Sequence, residues 1–320
     1  LRDRTQFRRP AAVCLIDDGL LAVANRRSGS ISLVDTDAWT VLLERHIGGQ
    51  LSDIAPLSGT PHVLVSDEAR HEVLLLEIDR SRIDVLARLP VADSPVSVAV
   101  SPNGTSATLA SLWSRTLTIL DISATDPDAP PPPLALRKEI PLPFAPRVQC
   151  PLPDGRHVIV ADAFQARLAV IDIVAGELRF TREFAGHNIR GITVSPDGRD
   201  LYLTHQLLNS SAPTTFDSIH WGNLLENLIR VLPVEAVLDP DTDLVRAGRS
   251  ILFGTTGSGA GDPAGIAFTN DDRLIAVASG VDRAASFPKI HSVVTPWIET
   301  GRCPTAVLPL PEKHAALTVN

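Results

Sequence analysis

The chain contains no methionine and only three cysteines, and none of Cys14, Cys150 and Cys303 stands in a Cys-x-x-Cys pair. Covalent c-type haem attachment and a zinc ribbon are therefore excluded, and no cofactor is expected in this chain. Buried free thiols are the default reading, and a Cys14–Cys303 bridge stays open if the first and last repeats adjoin. A surplus of positive charge is missing too: 29 Lys and Arg stand against 37 Asp and Glu, a net charge of −8. That argues against nucleic acid as a partner. No apolar run approaches the roughly eighteen residues of a membrane span, so no membrane insertion is expected. The start Leu1-Arg2-Asp3-Arg4 lacks the apolar core of a signal peptide. A chain of this size without methionine reads as a processed or excised segment, in which any export signal is expected to be gone already.

Long amphipathic stretches are also scarce; one helical segment is expected, near Trp221 to Leu238. What is abundant is punctuation: 26 prolines and 20 glycines spread along 320 residues. A turn signal recurs seven times: Asp17-Asp18-Gly19, Leu57-Ser58-Gly59, Ser101-Pro102-Asn103-Gly104, Pro153-Asp154-Gly155, Ser195-Pro196-Asp197-Gly198, Asn270-Asp271-Asp272 and Pro311-Glu312-Lys313. The spacings from Gly19 through Gly59, Gly104, Gly155, Gly198 and Asp272 to Glu312 are 40, 45, 51, 43, 74 and 40. Asx and Gly tolerate the left-handed backbone of tight hairpins, so each signal joins two antiparallel strands. Short apolar strands flank it, a third strand ending in an acid follows (Ile31 to Asp35, Leu168 to Asp172), and a more polar fourth follows in several repeats (Thr40 to His46, Leu178 to Phe184).

Four strands in forty-odd residues is the period of a propeller blade. The expectation is one all-β domain over 1–320, a seven-bladed β-propeller of four-stranded antiparallel blades at about 10–48, 49–93, 94–144, 145–187, 188–261, 262–302 and 303–320 with 1–9. The last blade is expected to be incomplete or closed by the N-terminal segment. Two long spacings have visible causes: a proline-rich excursion at 125–133, and an insert of about thirty residues at Asn209–Asp239. The insert holds Phe216, Ile219, Trp221 and Leu224 and is expected to pack back as a lid. Gly254 to Gly261 lacks the ending of a phosphate loop and reads as a connection.

The units, such as Pro10-Ala11-Ala12-Val13 through Leu21-Ala22-Val23-Ala24-Asn25 to Ser30-Ile31-Ser32-Leu33-Val34-Asp35, resemble the YVTN-type β-propeller repeats of bacterial surface and periplasmic proteins. Asn25 is kept in the first repeat; Asp67, Ser111, Asp162, His205 and Ser279 stand at the comparable point. The resemblance implies a periplasmic or cell-surface location. Some chains of this kind continue into a cytochrome-c or di-haem peroxidase-like module, so haem is implied only for an adjoining module absent here.

Propeller connectivity gathers the loops that enter each blade and the loops between second and third strands at one end of the channel. These carry Arg27, Asp53, Trp113, Arg115, Arg147, Asp162, His187, Asn188, Arg190, His205 and Asp262, with Arg26, Asp67, Arg70, His71 and Arg167. Several guanidinium groups suit a carboxylate, a phosphate or an acidic partner surface; the plainer alternative is Arg–Asp lacing of neighbouring blades. The densest cluster is His187-Asn188-Ile189-Arg190, then His205-Gln206, Asn209, Thr215, Asp217 and His220-Trp221-Gly222-Asn223. His187, His205, His220 and Asp217 are the candidate metal ligands, although no spacing matches a metal motif. No nucleophile elbow or P-loop occurs. The leading expectation is a non-catalytic binding or scaffold module taking a protein partner or a small acidic ligand. The alternatives are the docking part of an oxidoreductase and a metal-dependent lactonase or lyase.

Overall fold

The computed structural model describes residues 7–122, 134–255, 258–287 and 297–320; the proline-rich excursion lies outside them. The chain divides into two compact units, Leu1–Val158 with Ile171–Leu178, and Ile159–Val170 with Arg179–Asn320.

In the first unit three four-stranded antiparallel sheets follow one another. The first holds Pro10–Asp17, Leu20–Asn25, Ser30–Asp35 and Thr40–His46 in order. The second holds Leu51–Pro56, His62–Asp67, Glu72–Asp79 and Arg82–Pro90. The third holds Pro95–Val100, Ser106–Ser111, Thr116–Ile122 and Leu134–Pro141. Second strands such as His62–Asp67 and Ser106–Ser111 are buried at every position, because both faces pack on a neighbouring sheet. Fourth strands such as Thr40–His46 and Leu134–Pro141 are largely exposed and polar. Leu20, Leu33, Ile54, Val65, Leu74 and Leu76 join the first two sheets in one core, each side chain contributing about 1.5–3 kcal/mol by leaving water.

A longer sheet runs in chain order through Pro146–Pro151, His157–Asp162, Gln165–Asp172, Glu177–Val194, Asp200–Leu208, Leu225–Pro233 and Arg249–Leu252. The expected fourth strand of one blade and first strand of the next are a single 18-residue strand. Its pairing shifts register between His187 and Gly191, where Gly186 and Asn188 have positive φ. The second unit continues with the sheet Pro263–Phe268, Leu274–Ala278, Arg283–Phe287 and Ile298–Glu299, then the two-stranded pair Ala306–Leu310 and Ala315–Val319. The last repeat is thus incomplete among the described residues, and the sheet series is consistent with seven blades of a β-propeller. Arg8 and Arg9, expected at that blade, accept backbone hydrogen bonds from Arg27 and Arg26 through their carbonyls.

The turn signals do what their chemistry requires. Gly59, Gly104 and Gly155 have φ of 76°, 71° and 66°, and a Cβ there would touch nothing within 4 Å, so conformation alone selects glycine. The acids ending third strands cap the turn that follows: the Asp35 carboxylate accepts from Asp37 N and Ala38 N, both at 2.8 Å. The Ala38 amide, then Arg80, hold it at about 2.

The insert differs from expectation. Leu225–Pro233 is a strand, not a helix, and pairs with Asp200–Leu208 through nine positions, from Asp200↔Pro233 to Leu208↔Leu225. Its middle, 228–232, is buried at every position and mainly apolar, a composition that fits either element, and length and neighbours decide. The extra residues therefore split into a tip, 209–224, and two short helices at the other end of the hairpin, Val234–Leu238 and Leu244–Ala247. Gly254–Thr255 and Ser258–Gly259 pair as a small hairpin. All three cysteines are free; Cys14 and Cys150 are buried, whereas Cys303 is exposed, against the expectation of burial.

Candidate functional site

The end of each second strand is a structural position. Asn25, Asp67, Ser111 and Asp162 are buried there, His205 is buried at the same register position, and Ser279, one residue past the sixth repeat's Ala278, is buried too. Most clasp nearby backbone or polar groups. The Asp67 carboxylate accepts from Gly49 N, Gln50 N, Ala69 N and Arg70 N. Ser111 donates to Ala92 O, Asp162 accepts from Phe164 N and Arg167, and the Asn25 amide donates to Ser30 and Ser32. The Asp162 carboxylate thus serves its own turn.

Several expected mouth residues of the first unit are committed in the same way. Asp53 accepts from Val98 N at 2.9 Å and from its own neighbour Ile54 N, joining two inner strands. Burial pushes its carboxyl up to about 6, against those bonds. Arg26 pairs with Glu68 at 2.5 Å, and Arg27 stacks on Phe7 with its guanidinium 5.2 Å from the ring centre. Arg115 takes a left-handed corner whose carbonyl accepts from Leu142 N. Trp113 is exposed and Arg147 half-buried.

In the second unit the expected cluster separates into three groups. Asn188, Arg190 and Asp262 form one: the Asn188 amide donates to Asp262 Oδ1 at 3.1 Å and to Gln206 Oε1 at 3.0 Å, and Arg190 pairs with Asp262 Oδ2. The network runs on through Gln206 Nε2 to Asn227 Oδ1, and from Asn227 to Ala260 O. His187 lies opposite Gln206 at its margin.

His205 stands apart from that network. It is fully buried, its Nδ1 lies 3.1 Å from Gln206 O, and its Nε2 has no hydrogen-bond partner. Phe184 meets the ring edge-on at 5.3 Å. Burial, with smaller contributions from Arg230 and His187, holds the imidazole neutral down to about 4. Arg230 is 7% exposed, lies 5.3 Å over the Phe184 ring, and its Nε is also unpartnered. Arg230 opposes Leu203 in the ladder, so it shares a sheet face with His205 two residues along.

The third group is the hairpin tip. Other second and third strands part at the clasp position, as at Asp67↔Glu72 and Ser111↔Thr116; here three further pairs follow His205↔Leu228. They carry the tip about 10 Å past the usual sheet end. Asn209 N donates to Leu224 O, and Asn223 N to Ser218 O. Thr215 caps the helix Phe216–His220 by accepting from Ser218 N. Phe216 and His220 stack at 5.5 Å, and Trp221 meets His220 edge-on at 5.1 Å. Phe216 is 78% exposed, Ile219 59% and Trp221 57%. The lid expectation fails: the overshooting ladder holds these side chains out in solvent.

The four candidate metal ligands do not gather either: among the described residues no group of three or more His, Cys, Asp or Glu side chains comes together to hold an ion. His205 is buried among Phe184 and Arg230, whereas His220 lies on the exposed tip.

Sequence reasoning missed Arg230, Phe184 and Asn227. Arg230 carried a readable signal: the same register position holds Ser32, Leu74 and Thr118 in earlier repeats, all uncharged.

No protein-family model and no curated protein matches the chain. Solved structures do. A hydrazine synthase chain of Kuenenia stuttgartiensis is 17% identical with a TM-score of 0.80, covering 100% of this chain and 97% of that one. The β-propeller domain of Swd1 from Myceliophteria thermophila is 13% identical with a TM-score of 0.66, over 99% and 96%. A catalytically inactive virginiamycin B lyase from Staphylococcus aureus, solved with quinupristin, is 14% identical with a TM-score of 0.67, over 97% and 91%. These likenesses establish the propeller fold. Among the described residues no helix is long and apolar enough to cross a membrane.

Proposed function

We propose that this chain is a non-catalytic binding propeller that docks a protein partner through the hairpin tip of its fifth repeat. The observation that carries the reading is the exposure of Phe216, Ile219 and Trp221 on a capped helical turn held beyond the sheet. Exposed aromatic and aliphatic side chains rimmed by polar ones mark interaction surfaces, and Trp and Phe are favoured interface anchors. Ser210, Ser211, Thr214 and Asn223 of the same tip are exposed polar residues. The mouth arginines favour this over capture of a free acid there: Arg26, Arg167 and Arg190 already pair with Glu68, Asp162 and Asp262.

The test is photo-crosslinking with a benzophenone amino acid at position 216 or 221, in extracts of the producing cell. The same label at Trp39, also exposed, is the control. One defined protein captured from the tip and not from position 39 is the expected result. Capture of lipid, of the chain itself, or of nothing overturns the reading.

A second reading is the docking subunit of an oxidoreductase assembly outside the cytoplasm. It is favoured by the whole-length likeness to a hydrazine synthase chain, whose TM-score of 0.80 exceeds that of the Swd1 propeller at 0.66. Haem absorbance in the captured partner separates it from plain scaffolding.

A further inference from the structure

In the first four repeats the residue ending the second strand is Asn25, Asp67, Ser111 or Asp162, a small polar or acidic side chain, and in the sixth it is Ala278. His205 replaces it in the fifth. Its Nδ1 is within hydrogen-bond distance of a carbonyl, Gln206 O, so Nδ1 carries the proton and Nε2 of the neutral ring presents a lone pair. That lone pair is buried and unanswered. On the same sheet face the Arg230 Nε–H is buried and unanswered too. Among the described residues no carboxylate pairs with Arg230, and burial alone lowers its basicity. Phe184 packs against both groups, edge-on to the imidazole and face-on to the guanidinium.

Buried polar atoms are almost always satisfied, and a buried cation is costly unless it is paired. Two orphans of complementary kind on one sheet face, a charged donor and a neutral acceptor, define what would satisfy them. The occupant must bring negative charge to Arg230 and a proton to His205. A water molecule supplies both hydrogen bonds but leaves the guanidinium charge uncompensated. A fully deprotonated anion such as sulfate satisfies Arg230 and turns a lone pair toward Nε2.

We propose that Arg230 and His205 form a site for a small oxyanion that retains one proton, with the charged oxygen accepting from Arg230 Nε–H and the anion's O–H donating to His205 Nε2. Hydrogen phosphate is the simplest member of the class. Arg190, the nearer choice from sequence, is already neutralised by Asp262, so selectivity in this unit falls to Arg230.

The test is calorimetric titration of the full chain with inorganic phosphate at neutral pH, where phosphate keeps a proton and sulfate does not. Sulfate is the control of matching shape. Phosphate is expected to bind, and sulfate at least about ten-fold more weakly, the scale of one lost hydrogen bond to a charged or buried group. The informative variant is His205→Asp, which installs the residue that Asp67 and Asp162 represent at this position. It gives Arg230 a carboxylate, so it should fold with a Tm no lower than the parent's and show no phosphate heat. Absence of phosphate binding in the parent, equal binding of sulfate, or unchanged phosphate binding in a folded His205→Asp variant each overturns the proposal. Should His205→Asp fail to fold, Arg230→Gln takes its place, and retained phosphate binding in that variant has the same force.

Discussion

Asn188 and Asp262 occupy the same left-handed corner one repeat apart, with φ of 55° and 53°, and are hydrogen-bonded to each other at 3.1 Å. Each stands three residues before a glycine, Gly191 or Gly265, at which the inner strand comes within contact of its neighbour. Ser94 and Cys303 hold the equivalent corner, with φ of 61° and 53°. The side chain at one corner therefore restrains the next. Asn and Asp suit the position because they tolerate αL backbone and offer a short polar arm.

Replacing Asp262 separates those roles. Asp262→Ala releases the Asn188 amide and Arg190 and puts alanine in an αL corner, at a cost of about 1–3 kcal/mol. Asp262→Asn keeps the corner and an acceptor for Asn188 and loses only the half-exposed ion pair, at about 1 kcal/mol or less. Urea unfolding of the two variants checks the order; equal losses would show that the corner conformation is unimportant.

Glycines at close approaches should be irreplaceable where those at open ones are not. A Cβ on Gly191 would stand 2.3 Å from Ala264 O and 2.8 Å from Thr204 Oγ1, and the first is backbone. Gly191→Ala is expected to cost roughly 3 kcal/mol or more, at or above the usual range for overpacking. Gly259 has nothing within 4 Å of such a Cβ and no positive φ, so Gly259→Ala should stay within about 0.5 kcal/mol. Thermal melts of the pair measure the contrast.

Thiol chemistry should count one residue. Cys303 is exposed, while Cys14 and Cys150 are buried, and burial pushes the Cys14 thiol up to about 12, with Asp53 adding to the effect. Since the thiolate is the reactive form, a disulfide reagent on the native protein is expected to modify one thiol quickly, and three only after unfolding. Cys303→Ser should abolish the fast phase.

Much of the architecture is legible in the chain because its turns are chemically expensive. A left-handed hairpin corner admits few residues, so Gly59, Gly104, Gly155, Gly198 and Asp272 mark the repeat directly. The two-stranded pair Ala306–Leu310 and Ala315–Val319 is legible for the same reason, since a marker stands between its strands. Leu225–Pro233 escapes because burial of its middle on both faces erases the alternation that identifies a strand. The candidate residues were legible one by one as loop positions, yet their grouping was not. Whether Arg190 is available depends on Asp262, 72 residues away. Whether His205 is satisfied depends on Arg230, whose departure from Ser32, Leu74 and Thr118 shows only once the ladder register is known.

Two titratable groups should drive stability in opposite directions across one pH window. Asp53 is held at about 6 against an ordinary 3.8, so its folded state favours the protonated form. Its contribution is complete below about 4 and disappears as pH rises through 6. His205 is held at about 4 against an ordinary 6.5, so folding favours the neutral ring. Its contribution is complete above about 6.5 and disappears as pH falls through 4. At about 1.4 kcal/mol per pH unit each is worth roughly 3 kcal/mol at most, and in the parent the two trends offset one another between pH 4 and 6.5. Single variants should uncover them. Asp53→Asn removes the loss on the alkaline side, so its Tm should climb with pH across the window. His205→Asn, which places the residue found at Asn25, removes the loss on the acid side, so its Tm should fall as pH rises. Parallel Tm profiles for parent and both variants would show that neither group titrates with folding.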